Sequence, residues 1–259
     1  MSRSIQAKRQ TSRGRSSGEI FAQVVRTFGF ILLTAGTIIF TVFSVVNLID
    51  KLGSTAEEYA QYVTKVNDWL RNLGVPNIGF YGAALMLVGL LFIILAIGRS
   101  WVGKIIHVIA FLLLTSFLLF RPGNVILFSR IIKTVPEYIT TFSNNYIGYF
   151  NLLDPPEAAY PKLIGGIVSL VYVIVASSVL GNKKPKRLSL SFVKAGLGFL
   201  MAIILIDGIL MPIAAGMLDF VEELITSKVY LIIVYGFLSF GLAFQLLGSV
   251  IGTIFFFIK

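Results

Sequence analysis

The chain has no cysteine and a single histidine, His107. The first absence excludes disulfides, thiolate metal sites and cysteine nucleophiles. The second excludes a bis-histidine haem and any multi-histidine metal centre. Charge is scarce as well: Asp, Glu, Lys and Arg together make up 13% of the sequence, about half of what a soluble domain carries. Catalytic signatures are missing, with no G-x-S-x-G, H-E-x-x-H, Walker lysine loop or G-x-G-x-x-G. Only one carboxylate, Asp207, falls inside an apolar stretch, whereas an aspartyl intramembrane protease needs two. The expectation is a protein that is not an enzyme and that holds no cofactor and no metal.

What fills the chain instead is apolar sequence. Hydrophobic residues reach 56%, and they gather in six runs, roughly 29–49, 77–98, 102–120, 163–181, 191–213 and 229–258. Each is near the 17–25 residues that a hydrocarbon core of about 30 Å demands of a helix. The pattern predicts an all-α, polytopic membrane protein with six transmembrane helices paired as three hairpins. The first run is of full span length, so it is expected to be a retained helix and not a signal peptide.

Laying these six runs across a bilayer sorts the charges. With the N-terminus inside, fourteen of the 22 Lys and Arg residues fall on the inner side and eight on the outer, the bias expected of cytoplasmic loops. Ten of the twelve acids fall outside, the exceptions being Glu19 and Asp207. The expected location is the cell membrane, with both termini cytoplasmic. The net charge of +10, which in a soluble protein would suggest nucleic acid, is here explained by topology. Residues 1–20 have almost no large apolar side chain and are expected to be a disordered basic tail, leaving 21–259 as the membrane domain.

Two outer connections carry periodic apolar residues of their own. Segment 54–74 places Tyr59, Tyr62, Val66, Trp69 and Leu73 at helical spacing, and segment 124–150 does the same with Phe128, Ile131, Val135, Phe142, Tyr146 and Tyr149. Both read as amphipathic helices outside the hydrocarbon core, lying against membrane lipid or offering Tyr59, Tyr62 and Trp69 to a partner.

Inside the spans, Asp207 is the candidate functional residue, because an intramembrane carboxylate usually faces a bundle interior or a hydrated path. Pro212 follows it and removes a helix donor, predicting a bend. His107 lies on the third span at a different depth from Asp207, too far for a relay, and reads as a packed histidine between helices. Three stripes of small or weakly polar residues recur at helical spacing: Thr34, Thr37, Thr41 and Ser44; Gly165, Ser169, Tyr172 and Ala176; and Gly241, Gln245, Gly248 and Gly252. Such stripes serve close helix packing in lipid or line a pathway. The last is assigned to a seam in an assembly, either a homo-oligomer or a complex with small membrane subunits.

A basic tail (SRSIQAKRQTSRGR, 2–15), a basic inner loop (NKKPKRLS, 182–189), six spans, large outer segments and no catalytic motif together resemble the crenarchaeal DNA-import membrane proteins of the CedA type. Those are similar in kind to the multispanning inner-membrane subunit of type IV secretion systems. The absence of Cys and the richness in Ile, Tyr and Phe agree with a heat-tolerant prokaryote. The resemblance implies a translocation-channel component with small membrane subunits, a cytoplasmic ATPase and DNA as partners, and it places no individual residue in a site. The competing expectation is a small-solute or ion transporter that uses Asp207.

Overall fold

The computed structural model describes residues 17–53, 78–97, 100–119, 159–180, 188–215 and 220–257, together with Lys65, Asp68, Met217 and Leu218. Tyr59, Tyr62 and Trp69 lie outside the described residues, as do segment 124–150 and all of segment 54–74 except Lys65 and Asp68. Every element among the described residues is helical.

Among the described residues eight α-helices occur in this order: α1 (Ser17–Gly53), α2 (Ile78–Ile97), α3 (Trp101–Leu119), α4 (Ala159–Val179), α5 (Leu188–Leu205), α6 (Met211–Ala215), α7 (Phe220–Thr226) and α8 (Lys228–Phe257). A π-helical turn, Ile206–Leu210, joins α5 to α6. Among the described residues, three stretches are long and apolar enough to cross a bilayer: Ser17–Val45, Leu188–Ala214 and Lys228–Phe255. Shorter apolar helices cover Tyr81–Ile97, Trp101–Ser116 and Gly165–Val179. Helix is the form such sequence must take in lipid, since only an internal ladder satisfies each backbone N–H and C=O there.

The starts of these helices follow local chemistry. α1 begins at Ser17 with Glu19 in its first turn, where a carboxylate complements the helix dipole; the last four residues of the expected 1–20 tail are therefore helical. Ser100 caps α3 by accepting from the Gly103 N–H at 3.2 Å. Ser227 does the same for α8 through the Tyr230 N–H, also at 3.2 Å.

Around the bundle the helices succeed one another as α2, α1, α8, α5, α4 and α3, and α3 returns to touch α2. The tightest seam joins α1 to α2, antiparallel, through two glycine pairs. A Cβ on Gly29 would stand 2.8 Å from Gly89 O, and one on Gly36 would stand 2.5 Å from Met86 N and 2.7 Å from Gly82 O. Both helices space these glycines seven residues apart, so each pair meets two turns from the other. Helix association in lipid rests on such close backbone contact, because lipid tails are as apolar as the side chains. One continuous core runs through the centre, including Phe30 and Leu33 of α1, Ile93 and Ile94 of α2, Tyr172 and Ala176 of α4, and Val193 and Leu197 of α5.

The α5/α8 seam has two faces. On one, Gly196 faces Gln245 and Gly241, and Gly248 abuts Ser189 O, where a Cβ would stand at 2.6 Å. On the other, Phe199 stacks on Phe244 with ring centroids 5.5 Å apart and neighbours Phe237 and Phe240 at 6.2 and 6.0 Å. The outer surface is apolar: Val102, Ile105, Ile109 and Leu112 of α3 and Ile232, Ile233, Phe240 and Leu247 of α8 are all exposed. An apolar surface of that extent belongs against lipid or another membrane helix.

Candidate functional site

Asp207 sits inside the π turn. The Met211 N–H bonds to Ile206 O, five residues back, and Pro212 has no N–H to offer the following carbonyls. The ladder therefore slips by one residue where an α-helix would have lost a bond, and the proline-induced disturbance takes the form of a π bulge. The slip leaves Gly208 against α4. The Gly208 carbonyl oxygen occupies the place where a side chain on Gly166 would begin, so α4 and the turn touch backbone to backbone.

The carboxylate is held from the opposite helix. The Tyr230 hydroxyl donates to Asp207 Oδ1 at 2.9 Å. Tyr230 is buried, in the first turn of α8, where the Ser227 cap fixes the backbone. A carboxylate in an apolar span is costly unless it has a donor. Tyr230 supplies one while its ring packs, which makes the pair a polar clasp between the end of α5 and the start of α8. Asp207 lies nineteen residues beyond Leu188, about 28 Å along the axis, and seven before Ala214, hence past the middle of that apolar stretch.

The other residues singled out by sequence do not converge on Asp207. Pro212 adjoins it, but Gly241, Gln245, Gly248 and Gly252 run along α8 away from it, beginning eleven residues past Tyr230, about 16 Å on. Their partners are within the chain: Gly241 meets Phe199 and Gly196, Gly248 meets Ser189 and Val193, and Gly252 meets the ring of Phe30. Of the roles expected for the stripe, close helix packing is the one these contacts display. These small residues face inward because α8 is wedged between α1 and α5. Gln245 is 2% exposed with Oε1 unpartnered.

The hydroxyl stripe of α1 is turned onto its own backbone. Thr37, Thr41 and Ser44 donate to the carbonyls of Leu33, Thr37 and Phe40 at 2.6, 2.7 and 2.8 Å. Thr34 Oγ1 lies 2.9 Å from both Phe30 O and Ser249 Oγ, and its one proton serves one of them at a time, while Ser249 can donate to Leu246 O at 3.0 Å. Thr34–Ser249 is a polar link between α1 and α8.

His107 and Tyr172 form a pair that spacing alone did not reveal. Their ring centroids lie 5.3 Å apart with planes tilted by 41°. They are 0% and 2% exposed, and both imidazole nitrogens and the Tyr172 hydroxyl lack a hydrogen-bond partner. His107 is thus held by α4, and Asp207 by α8, each through a different tyrosine. Among the described residues no cluster of three or more His, Asp or Glu has the arrangement of a metal site.

An apolar exterior, a glycine-sutured interior and three stretches of span length define a helical membrane protein. Comparison with protein-family models, with curated proteins and with solved structures finds no match.

Proposed function

We propose that this protein is a non-enzymatic subunit of a macromolecular translocation assembly in the cell membrane, with DNA as the transported substrate. The observation that carries the reading is the filled interior. Ile93, Ile94, Thr37, Ala176 and Val193 are fully buried, and the α1 hydroxyls of Thr37, Thr41 and Ser44 are bonded to their own helix. A chain packed in this way moves a large substrate beside itself, in concert with other chains, and not through its own centre. A homo-oligomer, small membrane subunits and a cytoplasmic ATPase are the partners that fit. The basic tail and the basic loop at 182–189 support placing a polyanion on the inner side.

The same reading takes all six apolar helices as spans in three hairpins. α2, α3 and α4 have 20, 19 and 21 residues, or about 30 Å each, and the fourteen-to-eight partition of Lys and Arg puts both termini inside. Because the chain has no native Cys, single introduced cysteines test this directly. Those in 182–190 should resist an impermeant maleimide in intact cells, while those in 54–74 should react. Labelling at 183–187 from outside would overturn the topology.

A second reading, a proton- or cation-coupled transporter of small solutes, draws on one observation, the Asp207–Tyr230 clasp in a π turn. Asp207→Asn separates the two. The amide oxygen can still accept from Tyr230, so in a translocation subunit folding should change by no more than about 1 kcal/mol, with DNA transfer and partner co-purification retained. Normal expression with transport abolished would favour the transporter.

A further inference from the structure

Four helix ends meet at the end of the bundle that carries Ser17: the start of α1, the end of α2, the start of α5 and the end of α8. Between them lies a pocket of about 550 Å³, within the usual range for a ligand site. Its polar wall is Gln23 and Arg26 of α1 with Ser189 in the first turn of α5, and its apolar wall is Phe30, Ile97 and Phe255. Arg26 is half-buried nine residues into α1, just before the apolar run begins. An Arg part-buried between helices is favoured by an anion beside it. The first turn of α5 adds N–H groups that have no partner in their own helix. Glu19 also lines the pocket, but it is exposed, two turns nearer the helix start, and has an interaction of its own.

We propose that this pocket binds an anionic membrane lipid, with its headgroup phosphate on Arg26 and the α5 first turn and the upper part of one alkyl chain along Phe30, Ile97 and Phe255. The planar guanidinium matches a phosphate in two-point geometry, and basic pockets between helices at the cytoplasmic surface are where anionic headgroups lodge. A free phosphate would leave the apolar wall uncovered, and a zwitterionic lipid would offer Arg26 less net charge, so the two walls together select an anionic amphiphile. The proposal does not depend on what the protein transports.

The test uses the full-length chain, delipidated in a mild non-ionic detergent, and measures thermal midpoint and bound mass by native mass spectrometry. Short-chain phosphatidylglycerol should bind at one copy and raise the midpoint. Phosphatidylcholine at equal concentration, and inorganic phosphate at a hundredfold excess, should do neither. Arg26→Gln should weaken phosphatidylglycerol binding by about tenfold or more, the scale of a lost charge-assisted hydrogen bond, while Arg26→Lys should lose less. Should Arg26→Gln fail to fold, Ala22→Trp, which fills the same pocket and keeps the charge, should abolish the single-copy binding. Equal stabilisation by phosphatidylcholine, a full response to inorganic phosphate alone, or binding unchanged in Arg26→Gln or in Ala22→Trp would each overturn the assignment.

Discussion

Gly36→Leu should yield little or no folded, monodisperse protein, whereas Gly198→Leu should purify like the wild type. At Gly36 the first atom of any side chain would stand 2.5 Å from Met86 N, 2.7 Å from Gly82 O and 2.9 Å from Leu85 Cβ. Two of those three are backbone atoms of α2, which no rotamer change can move. The contact is mutual, since a Cβ on Gly82 would lie 2.7 Å from Phe40 N and one on Gly89 would lie 2.6 Å from Leu33 N. A leucine therefore parts α1 from α2, and with them Leu33, Leu90, Ile93 and Ile94, all buried in one core. Overpacking where side chains can yield costs about 1–3 kcal/mol, and here the backbones themselves must separate. Gly198 has nothing within 4 Å of its Cβ position, which makes it the matched control. Fluorescence-detected size exclusion and a thermal melt read both variants; a wild-type midpoint for Gly36→Leu would refute the seam.

Gly248→Leu should act in the same manner on α5 and α8. Its Cβ would stand 2.6 Å from Ser189 O and 2.8 Å from Val193 N, so the lesion lies in the fold of one chain. Folded protein should fall at every oligomeric state together, and no stable dissociated chain should accumulate. Gly236→Leu on the same helix, where nothing lies within 4 Å, should be tolerated. If Gly248→Leu instead gave a well-folded protein that had merely lost its partners, the stripe would face an assembly interface after all.

The contrast between these two seams shows what was legible in the sequence. Hydropathy located the helices to within a few residues: 77–98 was expected where α2 runs Ile78–Ile97, and 102–120 where α3 runs Trp101–Leu119. It missed the first turns of α1, because Glu19, Gln23 and Arg26 interrupt the apolar run while Ile20, Phe21 and Val24 continue the helix. The α8 stripe was visible as a stripe, but spacing on one helix does not name the helix opposite. For the same reason the seven-residue spacing of Gly29 and Gly36, and of Gly82 and Gly89, carries its meaning only once the two are set antiparallel and found to coincide. Pro212 announced a break without saying that it would be a π slip. Tyr230 as the partner of Asp207 was within reach, since the two lie at the facing ends of consecutive long apolar stretches, Leu188–Ala214 and Lys228–Phe255. His107 and Tyr172 were not, because their contact depends on how α3 and α4 rotate against each other.

α1 is continuous over 37 residues, a rod of about 55 Å set in a hydrocarbon layer of about 30 Å. Tilting within the observed range shortens its projection only slightly, so a substantial length of it must stand in water or among headgroups. α2 packs along it at Gly29, Gly36 and Phe43, and α8 at Phe30 and Thr34. A continuous rod held along one side by its neighbours moves as one piece, so a displacement at Ser17 would be delivered as a tilt at Gly53, about 55 Å away.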